Sequence, residues 1–255
     1  MSKTDLLYIS NKSFKSRLIM GTSLCPNQAV LEKSLEASET EIITVSLRRY
    51  DIKSKTNILE TLKKKYTFLP NTAGCYNSKE AILTAELSRE ALETDFLKLE
   101  IISDEETLLP DSVELIKTAK ELIKKKFKIL AYSNDDPVIC KKLEDIGCAA
   151  VMPLIAPIGS ALGIRNEHNL ELIREFCNGV LIVDAGIGKT SDATKVMELG
   201  YDGVLLNSSV ARSMDPIAMA YAMKLAVKAG REGYKAGFIE KNKYAKRSTF
   251  NDGII

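Results

Sequence analysis

Short, almost continuously apolar runs recur along the chain. They fall at 17–20 (RLIM), 42–46 (IITVS), 67–70 (TFLP), 96–101 (FLKLEI), 128–132 (KILAY), 149–153 (AAVMP), 180–184 (VLIVD) and 202–206 (DGVLL). Such runs suit parallel strands buried on both faces. The segments between them carry helical spacing, as in Ala81, Ala85 and Ala91, or in Val113, Ile116, Ala119, Leu122 and Ile123. Asn77-Ser78 and Asp111-Ser112 offer N-caps to two of these helices. The runs follow one another at roughly 20 to 30 residues, the length of a βα unit. Eight such units predict a closed (βα)8 barrel. An open doubly wound sheet also alternates strand and helix, but no early GxGxxG follows the first run. Residues 6–15 (LLYISNKSFK) read as a hairpin turning at Ser10-Asn11-Lys12 and placed to plug the lower mouth. One domain over 1–240 is expected, closing with a long last helix. A basic, weakly structured tail over 241–255 follows.

Length and composition agree with this. A chain of 255 residues with 45% hydrophobic and 27% charged residues fits a soluble barrel of about 250 residues. Thirty-six Lys and Arg against 34 Asp and Glu leave a net charge of +2, without the basic surplus of a nucleic-acid binder. Lys63–Lys65 and Lys124–Lys126 read as solvated helix faces. No apolar run reaches the ~20 residues of a membrane span. The start, MSKTDLLYISNKSF, lacks the apolar core of a signal peptide, so a cytoplasmic protein is expected. Five cysteines, at 25, 75, 140, 148 and 177, show no CxxC pair and read as small buried hydrophobes. His168 is the one histidine and lies in a polar stretch ahead of a helix. Acid–base chemistry must therefore lean on Lys, Asp, Glu, Tyr or Cys, and no metal site is expected.

Barrel enzymes carry their catalytic groups at the C-terminal ends of the strands. In FLKLEI, alternation turns Phe96, Lys98 and Glu100 to one face and Leu97, Leu99 and Ile101 to the other. The apolar set suits the helix side, so Lys98 and Glu100 point into the barrel. Desolvation there is expected to lower the lysine pKa and leave an amine able to form an imine with a ketone. Glu100 shuttles protons or neutralises the lysine; a purely structural ion pair is the alternative. In VLIVDAGIGKTSDA, Asp184 shares the inward face with Val180 and Ile182. Gly186 and Gly188 follow, where backbone N–H groups can approach an anion, or where the chain simply turns into a helix capped by Ser191 and Asp192. Asn207 and Ser208 open the loop after the eighth run. Loops after strands seven and eight are the usual phosphate cradle of such barrels. A loop with Gly159, Ser160 and Gly163 could lie over a ligand. Asn134-Asp135-Asp136-Pro137 reads better as a helix cap than as a metal site.

The ordered set SRLIMGT, ITVSLRR, LPNTAGC, KLE, TLLPD, DDP, CAAVMPL, APIGSALGIRN, IVDAGIG, SDA, MELGYDGVLLNSS and MKLAVKAGR resembles thiazole synthase of thiamine biosynthesis. It covers about residue 5 to 237. The resemblance implies a (βα)8 barrel in which Lys98 forms an imine with the ketone of 1-deoxy-D-xylulose 5-phosphate. It implies acid–base roles for Glu100 and Asp184, and substrate binding by Gly159, Ala185, Gly186, Asn207 and Ser208. Sulfur arrives as the C-terminal thiocarboxylate of a small sulfur-carrier protein. Dehydroglycine (2-iminoacetate) comes from a partner enzyme, either tyrosine-cleaving or glycine-oxidising. No cofactor or metal is implied, and a homo-oligomer, a tetramer by preference, is. The chain departs from the family pattern at Ala161, where glycine is expected, and at Ser208, Lys189-Thr190 and Ala131. A Schiff-base aldolase acting on a sugar phosphate would use the same lysine and loops, and is the alternative reading. A non-catalytic scaffold would be expected to have lost Lys98 or Asp184.

Overall fold

The computed structural model describes residues 5–46 and 58–247. Leu47 to Arg49, which end the ITVSLRR stretch, and residues 248–255 of the expected tail lie outside the described residues.

A short antiparallel hairpin comes first. β1 (Leu7–Ile9) pairs with β2 (Lys12–Phe14), with Leu7 opposite Phe14 and Ile9 opposite Lys12. Eight parallel strands follow: β3 (Leu18–Gly21), β4 (Ile42–Val45), β5 (Thr67–Pro70), β6 (Phe96–Leu99), β7 (Lys128–Ser133), β8 (Ala150–Pro153), β9 (Ile182–Val183) and β10 (Gly203–Leu206). Each of the eight apolar runs supplies one strand. The ladders run β5-β4-β3-β10-β9 and β6-β7-β8. Single parallel bridges, Asn71 with Lys98 and Val151 with Leu181, join the two arcs into a closed barrel. The run at 180–184 contributes a two-residue strand, with Leu181 before it making the single bridge to Val151.

Period-two alternation builds two cores. Each strand fills the lower barrel, with Ile19, Ile42, Leu69, Phe96, Leu130, Met152 (and Ala150 beneath it), Ile182 and Leu205. Leu7, Ile9 and Phe14 of the hairpin pack against this layer and close it from below. The neighbouring positions, such as Leu97, Leu99, Val183 and Val204, face outward and pack under the helices. Asp5 fastens the hairpin. Its carboxylate pairs with the buried Arg17 at 2.9 Å and with Arg231 of the last helix at 2.8 Å.

Helix starts obey the local chemistry of the sequence. Asn77 caps α3 (Ser78–Leu92) by accepting from the Glu80 N–H at 3.0 Å. Asp111 caps α4 (Ser112–Lys124). Asp136 accepts from the Val138 and Ile139 N–H groups, with Pro137 in the first turn of α5 (Pro137–Asp145). The capping reading of Asn134 to Pro137 is therefore the one the fold uses. The last helix, α9 (Pro216–Ala236), packs between α1 (Gln28–Ser38) and α7 (Thr190–Glu198). Residues 237–247 form neither helix nor strand. Among the described residues, no helix is long and apolar enough to cross a membrane.

Candidate active site

Moving two residues along each strand from the apolar layer reaches the next inward position. Those positions are Gly21, Thr44, Asn71, Lys98, Tyr132, Leu154, Asp184 and Asn207. The barrel thus changes from hydrocarbon to polar chemistry within one layer, at the C-terminal mouth. A cavity of about 960 Å³ opens there. Lys98, Glu100, Asp184, Gly159, Ala185, Gly186, Asn207 and Ser208 all line it. His168 does not, and is exposed at the start of α6 (Glu167–Phe176).

Lys98 stands between two carboxylates. Its Nζ donates to Glu100 Oε1 at 2.8 Å. It also forms an ion pair with Asp184 Oδ2 at 2.7 Å. Lys98 is 6% exposed, Glu100 5% and Asp184 8%. Glu100 lies one residue past the ladder and is pinned there by Thr72. The Thr72 hydroxyl donates to the Glu100 carbonyl at 2.7 Å and accepts from the Glu100 N–H at 2.8 Å. Asp184 is set by its own N–H, which donates to the Pro153 carbonyl at 3.2 Å. The Tyr132 ring approaches Lys98 Nζ at 5.5 Å from its centroid and adds a cation–π contact.

These surroundings reverse the expected lysine titration. Burial is the largest single influence on Lys98 and pushes its pKa down, but the carboxylates of Asp184 and Glu100 together outweigh it. The ammonium is held well above the ordinary lysine range, so the resting residue is charged rather than a free amine. Burial pushes Asp184 the other way, up to about 6, with the Lys98 charge opposing and the Glu100 charge adding. One cation facing two carboxylates leaves a buried negative charge unbalanced, and Asp184 is where the strain shows. A free amine at Lys98 therefore requires a proton to move from Nζ to a carboxylate, across less than 3 Å, rather than a low resting pKa.

The opposite wall is built for close approach. Gly186 has φ +95°, and a Cβ there would stand 2.4 Å from the Ala156 nitrogen. Gly21 leaves room for Asn207, whose Nδ2 donates to Ser23 Oγ at 2.8 Å. Asn207 Oδ1 is buried with no hydrogen-bond partner. Ala161, the departure from the family pattern, adopts φ 54° in the left-handed region where glycine sits without strain.

The thiazole biosynthesis protein ThiG family matches residues 8–250. The chain belongs to that family. A thiazole synthase of Geotalea uraniireducens is 53% identical over 255 residues, covering 99% of this chain and 98% of its own. One of Geobacter sulfurreducens is 52% identical over 254 residues, covering 98% of each chain. Among solved structures, the BexX/CysO complex of Amycolatopsis orientalis superposes with a TM-score of 0.84 at 24% identity, over 93% of this chain and 98% of that one. A 3-hexulose-6-phosphate synthase superposes at 0.57 with 13% identity, over 83% and 99%. The two structures speak for the barrel. The family makes this thiazole synthase a sulfur-transferring enzyme of thiamine biosynthesis.

Several residues of the cavity, or packed directly behind it, escaped the sequence reading. Tyr132 stands at the inward period-two position of its strand, yet it reads there as one more core aromatic. Thr72 and Asn71 lie in LPNTAGC, which reads equally as a tight turn into a helix. Arg212 also lines the cavity, one turn beyond Ser208 at the C-terminal end of a short helix, α8 (Ser208–Ala211), that no periodicity could announce.

Proposed function

We propose that Lys98 forms an imine with the ketone of 1-deoxy-D-xylulose 5-phosphate during thiazole formation. The observation that carries this reading is the Lys98 ammonium held within 3 Å of both Glu100 and Asp184 at the floor of the cavity. The amine adds to the carbonyl carbon, the carbinolamine loses one water, and the displaced ammonium protons pass to the carboxylates and the leaving hydroxyl. Asp184 suits this traffic because its raised pKa lets it both take and return a proton near neutrality. Glu100, pinned by Thr72, keeps the resting ammonium in place and serves the second transfer. Gly159, Ala185, Gly186, Asn207 and Ser208 hold the phosphate end and the hydroxyls. Sulfur then enters from the thiocarboxylate of a small sulfur-carrier protein, and dehydroglycine from a partner enzyme supplies nitrogen and the remaining carbons. The reading includes a cytoplasmic homo-oligomer, a tetramer by preference. The test is borohydride reduction with the ketose phosphate, followed by peptide mass spectrometry. An adduct is expected on Lys98 and none in Lys98→Ala; unmodified protein at saturating sugar would sink the imine.

A further inference from the structure

The cradle just described holds a charged phosphate with neutral groups: glycine backbone, an amide and a hydroxyl. Lys98 cannot serve it, since its charge is committed to Glu100 and Asp184. Among the described residues lining the cavity, the other cation is Arg212. It is exposed to the cavity's solvent, and its guanidinium forms no ion pair with a described carboxylate. Nearby Asp215 is occupied as the N-cap of α9, accepting from the Ile217 and Ala218 N–H groups. The guanidinium also has a direction. At Gly159, φ is +73°, and the position a Cβ would take lies 3.6 Å from Ser208 Oγ and 3.7 Å from Arg212 Nη1. The open face of Gly159, the Ser208 hydroxyl and the Arg212 fork therefore converge on one space.

We infer that Arg212 is a specificity-determining residue that reads the phosphomonoester of the sugar substrate, its guanidinium closing over the anion opposite Gly159 and Ser208. The inference rests on the sugar-phosphate reading above and adds the charge that reading lacks. A guanidinium matches two phosphate oxygens at once and keeps its charge at every working pH. The role is binding shared by ground and transition states, so its loss falls mainly on KM rather than on kcat.

The test titrates the full-length wild type, Arg212→Gln and Arg212→Lys with 1-deoxy-D-xylulose 5-phosphate and with the dephosphorylated sugar. Arg212→Gln is expected to weaken the phosphorylated sugar about 10-fold or more, the scale of a lost charge-assisted contact. Affinity for the dephosphorylated sugar stays the same. Arg212→Lys recovers most of the loss, and added salt weakens the wild type more than the Gln variant. Equal affinities of wild type and Arg212→Gln for the phosphorylated sugar overturn the inference. So does a loss that falls equally on both sugars. Borohydride adducts recorded on the same samples keep the two readings apart. A missing adduct with the Arg212 effect intact refutes the imine alone, and an adduct without the effect refutes Arg212 alone.

Discussion

The three buried charges at the barrel mouth should respond to substitution in opposite directions. Lys98→Met removes the cation and leaves Glu100 and Asp184 facing each other, both less than a tenth exposed. Breaking a buried pair in this way costs about 3–5 kcal/mol, and water in the open cavity favours the lower end. Asp184→Asn instead removes the unbalanced anion. In the wild type, Asp184 is raised from 3.8 to about 6, chiefly by burial. A carboxyl whose folded pKa exceeds its unfolded one binds more protons when folded, so stability falls as pH rises from about 4 through 6. At 1.36 kcal/mol per pKa unit, the penalty at pH 8 is up to about 3 kcal/mol. The Asn variant escapes it. Urea unfolding at pH 5 and pH 8 reads both effects as differences from wild type, so the slopes of other carboxylates cancel. At pH 8, Asp184→Asn is expected to be more stable than wild type while making little thiazole, and Lys98→Met less stable by about 3 kcal/mol. At pH 5 both differences shrink, as Asp184 protonates. An Asp184→Asn protein less stable than wild type at pH 8 would refute the reasoning, as would a Lys98→Met penalty equal at both pH values.

Two further substitutions probe the frame around the site. Ala161→Gly relieves a left-handed backbone at φ 54° and should raise the urea midpoint, by up to about 1 kcal/mol, without changing the slope; a lower midpoint would show that the Ala161 methyl packs usefully. Ile9→Ala hollows the hairpin plug at a fully buried position and should cost about 3 kcal/mol. If thermal and urea unfolding leave that variant within 0.5 kcal/mol of wild type, on the order of an ordinary surface substitution, the hairpin does not seal the barrel.

What the sequence determined by itself follows from short-range geometry. A period of two places Phe96, Lys98 and Glu100 on one face whatever the rest of the chain does, and the eight apolar runs had to be parallel strands because both of their faces are hydrocarbon. Caps such as Asn77, Asp111 and Asp136 are equally local, since the donors they satisfy lie two or three residues on. The family resemblance gave substrate-binding roles to Gly159, Ala185, Gly186, Asn207 and Ser208, but no local pattern placed them together. Tertiary structure alone decided three things. Barrel closure brought Asp184, three strands further along the chain, to 2.7 Å from Lys98. That meeting set the sign of the lysine's titration, because desolvation is a property of one site while its compensation depends on which charges share it. And the fold turned Arg212 from one of many basic residues into a cation of the cavity.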